Sequence, residues 1–187
     1  MKYLIVGLGN IGDEYAHTRH NIGFDVLDAL AGASNIAFNT NRYAHTTELR
    51  YKGRTLVLVK PTTYMNLSGK AVNYWLQQEK LTIEQMLVVV DDLALPFGTL
   101  RMKPNGSDAG HNGLKNINET LGHNNYARLR FGIGNNFSKG HQVDFVLSKW
   151  DSEEKKALSE RIQIATEMIL SFTTIGLDKT MSAYNNK

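Results

Sequence analysis

Two short runs constrain the architecture of this chain more tightly than anything else in it. Leu4-Ile5-Val6 ends at Gly7, and Leu87-Val88-Val89-Val90 ends at Asp91-Asp92. Side chains alternate across a strand, so a run that is apolar at every position needs cover on both faces. That is the condition of central parallel strands with helices packed above and below. Both runs then break into glycine, amide or acid. In open α/β sheets, ligands gather outside the carboxyl ends of the strands. The pattern therefore predicts a functional site where these two strands end.

The remaining periodicities supply the cover. Phe24, Leu27, Leu30 and Ala31 predict a helix over 22–31, and Val72, Trp75 and Leu76 one over 69–79. Leu158, Ile162, Ala165, Ile169 and Phe172 predict a helix over 151–172, opened by Asp151 and Glu154 as a cap pair. Thr82-x-x-Gln85 has the form of a capping box at the start of a short helix. Runs 44–51 and 54–60 flank Lys52-Gly53, a hairpin signal. Arg128-Leu129-Arg130-Phe131-Gly132-Ile133 alternates basic and apolar, as in a strand with one polar face. The 187 residues carry no repeat and no Pro/Ser linker, which predicts a single compact α/β domain over 1–187. Its sheet should be twisted, mixed and largely parallel, with helices on its faces. Met181 to Lys187 are polar and are expected to fray.

Composition excludes several chemistries. There is no cysteine, hence no disulfide, no thiolate nucleophile and no cysteine-bound zinc, which fits a cytoplasmic setting. No apolar run approaches the roughly 20 residues that span a bilayer, so no membrane partner is expected. The opening Met1-Lys2-Tyr3-Leu4-Ile5-Val6-Gly7 is too short for a signal peptide. Net charge is +3, too small to argue nucleic-acid binding by itself. Between Gly98 and Arg130, however, five basic residues face two acidic ones, while the remainder balances. A local basic patch is the least that a phosphate-bearing partner requires. On charge alone, a solvated face is the simpler account.

Gly7-Leu8-Gly9-Asn10-Ile11-Gly12 follows a strand and fits G-x-G-x-x-G. A dinucleotide fold would continue at once into an apolar-faced helix and then a strand ending in an acid. Here Asp13 to His20 intervene, and Ala31-Gly32-Ala33-Ser34-Asn35 stands where that second strand would lie. The glycines are better taken as a tight turn that lets Asn10 approach a ligand. His20 sits between this strand exit and a helix start, and His17 with His20 finds no further metal ligands nearby. Asn66 leaves another strand for a helix. Ser68 lies outside any G-x-S-x-G elbow and can be a simple cap. Asp91, at a strand exit, is placed to orient a histidine. Gly106-Ser107-Asp108-Ala109-Gly110-His111-Asn112-Gly113 is a glycine-rich loop that can cradle phosphate or act as a lid, although no G-K-[ST] follows.

Taken together these blocks resemble the bacterial-type peptidyl-tRNA hydrolases over essentially the whole chain. The matching stretches are Leu4 to Asn10 with Thr18-Arg19-His20-Asn21-Ile22-Gly23, then Lys60 to Gly69, and Val90-Asp91-Asp92-Leu93 with Leu95-Pro96. Gly110 to Lys115 and Arg128 to Gly134 complete them. The resemblance implies a monomeric α/β enzyme that needs no metal and no cofactor and hydrolyses the ester between a peptidyl group and tRNA. It implies His20 as the base that activates water, Asp91 as its orienting acid, and Asn10, Asn66 and Asn112 as the amides that hold peptide and water. Tyr15, Met65 and His111 are implied as cleft lining, and Arg101, Lys103 and Arg130 as contacts to tRNA phosphates. Two departures are visible: Ala94 stands where the family often has an acid, and Asp108 and Ala109 interrupt the glycine run. The competing expectations are a non-catalytic RNA- or partner-binding relative and, from the glycine motif alone, an NAD-dependent oxidoreductase.

Overall fold

The computed structural model describes residues 1–185; Asn186 and Lys187, the end of the segment expected to fray, lie outside the described residues. Its strands are β1 (Lys2–Gly7), β2 (Asn39–Asn41), β3 (Ala44–Tyr51), β4 (Arg54–Pro61), β5 (Met86–Asp92), β6 (Leu100–Lys103) and β7 (Ala127–Gly132). Its helices are α1 (Ile22–Ala33), α2 (Ser68–Gln78), α3 (Asn112–Leu121), α4 (Gln142–Val146), α5 (Ser152–Ile175) and α6 (Leu177–Tyr184). The strands form one seven-stranded sheet in the order β2-β3-β4-β1-β5-β7-β6. β4, β1, β5 and β7 run parallel, and β2, β3 and β6 join antiparallel at the edges. None of the described helices is long and apolar enough to cross a membrane.

The two-sided burial expected of the central runs has a direct outcome. Ile5, Leu87 and Val89 belong to a core cluster shared with α1 and α5, while Leu4, Val6, Val88 and Val90 belong to a second one shared with α2 and α3. β3 and β4 pair as the hairpin predicted around Lys52-Gly53, and Lys52 takes the positive φ of 47° such a turn requires. The capping box at Thr82 and Gln85 is present, opening a 3₁₀ turn rather than an α-helix. Asp151 and Glu154 form the reciprocal cap of α5.

Three expectations change. The strand around Arg128 has no solvated face, because all of Ala127–Gly132 is buried and Arg128 is 0% exposed. Its arginines are covered by the Ser107 segment and by Tyr126, whose ring lies 4.2 Å from the Arg128 guanidinium carbon. The polar tail from Met181 to Tyr184 is helical, and Asn185 exchanges hydrogen bonds with both the N–H and the carbonyl of Met102. Ser68 begins α2, but its hydroxyl donates back to the Met65 carbonyl instead of capping.

The glycine motif has a packing role. A Cβ on Gly7 would lie 2.3 Å from the Gly23 carbonyl oxygen, and one on Gly9 would enter the Phe24 ring. Gly23, in α1, is in turn pressed on Leu8 and Val89: a Cβ there would meet the Leu8 nitrogen at 2.5 Å and the Val89 oxygen at 2.7 Å. Gly7 and Gly23 bring the backbone of α1 onto that of β1, Leu8 and β5, Gly9 makes room for the Phe24 ring, and this fixes where His20, just before α1, must sit. Gly23→Ala is therefore expected to cost about 1–3 kcal/mol of stability. A thermal midpoint equal to wild type would mean that α1 can stand off the sheet.

Candidate active site

Asp91 lies near the carboxyl end of β5, one residue inside the strand, and is only 5% exposed. Two histidines converge on it from opposite layers. His20, in the 3₁₀ turn before α1, places Nδ1 2.8 Å from Asp91 Oδ2. His111, immediately before α3, places Nε2 2.8 Å from Asp91 Oδ1. The rings approach to 4.9 Å between centroids. Burial alone would push the Asp91 carboxyl upward. The charges and hydrogen bonds of His20 and His111 outweigh that, and the acid is held far below the usual carboxylate range. Burial likewise pulls the His20 imidazole down, and Asp91 more than offsets it, so His20 sits above its ordinary value.

The histidines differ in what their second nitrogens do. The α3 amides of Gly113 and Leu114 donate to His111 Nδ1 at 3.1 and 3.3 Å, which fixes the hydrogen of His111 on Nε2. Both of its nitrogens are thus engaged. The Nε2 of His20 has no partner among the described residues, and the ring lines a cleft with Asp91, His111 and Asn112. Of the pair, only His20 has a nitrogen with which to accept a proton from a bound water.

His20, Asp91 and His111 also form a group of potential cation ligands, their donor atoms lying within 4.8 Å of one another. The contacts argue for protons there instead. Each histidine nitrogen in the group is at hydrogen-bond distance from the carboxylate, and the amides on His111 Nδ1 force its hydrogen onto the very nitrogen a metal would need. His17, the other histidine of that loop, pairs with Asp25 at 3.0 Å and takes no part.

The sequence-predicted amides are brought to this cluster in different ways. The Asn10 N–H donates to Asn21 Oδ1, and Asn21 Nδ2 donates to the Asn10 carbonyl, both at 2.8 Å. The Met65 N–H donates to Asn10 Oδ1 at 2.7 Å. The oxygen of the Asn10 amide is therefore occupied, and Nδ2 is the part left to donate. Asn66 and Asn112 are exposed, the former in the 3₁₀ turn Met65–Leu67 and the latter at the first residue of α3. The Met65 side chain is buried, its sulfur against Gly113. Tyr15 meets Tyr64 edge-to-face at 6.5 Å and is not among the residues that line the Asp91 cleft. Asp92, Asp108 and Asn112 line that cleft with His20, Asp91 and His111, and Val143 and Val146 of α4 form an apolar lip.

The predicted phosphate contacts split. Lys103 is exposed at the end of β6, and Arg101 is half-buried opposite Arg130 in the ladder. Arg130 is only 6% exposed; its Nη2 donates to the Ser107 carbonyl at 3.0 Å, and its Nη1 lies 3.6 Å from Asp92. It anchors the glycine-rich loop from beneath rather than presenting a cation to solvent.

Three contributors had no assigned role in the sequence. Asn21 holds the Asn10 backbone. Arg19 ties the His20 turn to the lip: it donates to Ser148 and to the Lys149 carbonyl, pairs with Glu154 at 2.6 Å and lies over the Phe145 ring at 4.3 Å. Tyr64 is half-exposed with φ 63° and ψ 159°, a conformation open to few residues but glycine. The adjacency of Arg19 and Asn21 to His20 was the one available signal.

A mixed α/β sheet, parallel at its centre, with a carboxylate-held histidine at a strand end and Asn112 lining the same cleft, has the form of a general-base hydrolase. The comparisons make this specific. The family model for peptidyl-tRNA hydrolase matches residues 4–187. A peptidyl-tRNA hydrolase of Phocaeicola vulgatus is 62% identical over 187 residues, and one of Bacteroides fragilis 60%, each alignment covering 100% of both chains. The crystal structure of the Acinetobacter baumannii peptidyl-tRNA hydrolase superposes with a TM-score of 0.92 at 33% identity, over 98% of this chain and 94% of that one. The chain belongs to the peptidyl-tRNA hydrolase family.

Proposed function

We propose that this protein hydrolyses the ester bond of peptidyl-tRNA, releasing peptide and free tRNA, as a monomeric cytoplasmic enzyme that uses neither metal nor cofactor. The observation that carries the mechanism is that, of the two histidines on Asp91, His20 alone has a nitrogen, Nε2, with no partner among the described residues, on a ring that lines the cleft. A water bound there loses a proton to Nε2 as its oxygen attacks the ester carbonyl carbon. Asp91 fixes the tautomer and stabilises the imidazolium that forms. The tetrahedral intermediate collapses with cleavage of the carbon–oxygen bond to the ribose, and His20 returns the proton to that oxygen.

The amide of Asn10 has only its Nδ2 left, so its role is donation to the substrate carbonyl and the developing oxyanion. Asn66 and Asn112, exposed and unspent, are placed to take the peptide backbone. A peptidyl group offers them a further amide, whereas an aminoacyl group presents an ammonium and forfeits those bonds. His111 lines the cleft, buried Met65 supports it through Gly113, and Tyr15, paired with Tyr64, meets substrate outside it. Lys103 and Arg101 meet tRNA phosphates, contacts that position the substrate without reading bases. Arg130 supports them indirectly, through the loop it anchors.

The test is release of N-acetyl-aminoacyl groups from charged tRNA with a chelator present. Turnover unaffected by chelator is expected, and loss of turnover on chelation would overturn the metal-free mechanism. The acid limb of kcat/KM should lie above the ordinary histidine value, since the base must be neutral and Asp91 more than offsets the effect of burial on its proton affinity. Rising salt should raise KM, and Lys103→Ala should reduce the slope of log KM against log salt by roughly one. An unchanged slope would remove Lys103 from the tRNA interface.

A further inference from the structure

We infer that His111 is a positioning residue: by holding the second oxygen of Asp91 it divides the charge of that carboxylate and so tunes His20. The inference rests on the proposed role of His20 as base, but part of its test does not depend on catalysis.

Asp91 Oδ2 faces His20 and Oδ1 faces His111, each at 2.8 Å. A carboxylate whose charge is shared between two N–H donors attracts an imidazolium on either side less than an undivided one would. The His111 bond is directional because its ring has no freedom: the two α3 amides on Nδ1 leave Nε2 as the only place for hydrogen. The same ring therefore caps α3 and restrains Asp91, linking the end of the glycine-rich loop to the catalytic pair.

The other charged groups facing the pair are few. Asp92, next along β5, lies 3.6 Å from Arg130 of β7, and the two largely offset each other. Asp108 lines the cleft from the loop, its Oδ1 accepting from the Gly110 N–H. Arg19, beside His20 in sequence, directs its guanidinium to Glu154. None of these donates to Asp91 among the described residues, which leaves His111 as the group able to modulate it.

His111→Asn is the informative variant. Asparagine is a good N-cap and keeps α3 started, but it is too short to reach Asp91. Released from His111, Asp91 should hold the His20 imidazolium more strongly. Titration of the His20 ring by NMR should then shift upward by roughly 0.5–1 unit, and the acid limb of kcat/KM should follow. His111→Ala should shift it in the same direction. A lower kcat with neither midpoint moved would show a merely structural role and overturn the inference. A shifted NMR midpoint with an unmoved rate limb would leave the inference standing and remove His20 as the base. The wild-type protein gives a check independent of any variant: nitrogen chemical shifts should place the His111 hydrogen on Nε2, and a hydrogen found on Nδ1 would overturn the inference outright.

Discussion

His20→Ala is expected to lower kcat by about 10²–10⁴-fold while KM for an N-acetyl-aminoacyl-tRNA stays near wild type. The size follows from the division of labour around Asp91. Removing the side chain removes the one nitrogen available to accept a proton from water, and His111 cannot substitute, because α3 occupies its Nδ1 and Asp91 its Nε2. Binding should be spared because the cations and amides proposed to hold substrate lie on other elements: Lys103 on β6, Asn66 before α2 and Asn112 on α3. Steady-state kinetics with a filter-binding measurement of tRNA separates the two effects. Turnover within tenfold of wild type would remove His20 as the base. A wild-type chain that binds tRNA but releases nothing would point instead to a binding protein built on this fold.

Asp91→Asn should be equally severe, about 10³–10⁴-fold in kcat, for a reason specific to the shared carboxylate. Asp91 accepts from two ring N–H groups, whereas an amide has one oxygen and one NH₂. His111 is locked as a donor by the α3 amides, so the amide oxygen goes to it and the NH₂ faces His20. His20 must then accept at Nδ1, which moves its hydrogen to Nε2, the position that has to be bare to act as base. The alternative orientation leaves His111 facing an NH₂ and a buried donor unpaired, at about 1–3 kcal/mol. Kinetics and a thermal melt together test this. A variant with turnover close to wild type would show that Asp91 does not set the tautomer of His20.

The two predictions draw unequally on sequence and structure. His20, Asp91 and the asparagines stood out because they occupy turns and strand ends where no packing role explains them, and matching family motifs gave them roles. Arg19 and Asn21, flanking His20, could not be assigned. An arginine beside a histidine says nothing about whether it faces solvent or, as here, a buried pocket formed by Phe145, Trp150 and Glu154 from a segment more than a hundred residues away. Arg130, which the family resemblance offers as a phosphate contact, shows the same limit in where its side chain lies. Alternating basic and apolar residues are the mark of a half-exposed strand, but β7 has its basic face closed by a loop that the pattern within the strand cannot report. β6 is four residues long and α6 only eight, with Thr180 its one buried residue, so both escaped a reading based on periodicity.

The amino-acid sequence by itself determined that this chain builds a mostly parallel sheet between helical layers, and that chemistry gathers where β1 and β5 end. Those properties follow from local periodicity, and runs that are apolar on both faces allow few alternatives. Only the tertiary structure decided which histidine is free to work. His20 and His111 are each a histidine before a helix; family motifs give them different roles, but the chemistry within either segment supplies no physical reason for the difference. The difference arises where two layers meet over one carboxylate: α3 takes up the remaining nitrogen of His111, while α1, drawn onto the sheet by Gly7 and Gly23, leaves that of His20 facing the cleft.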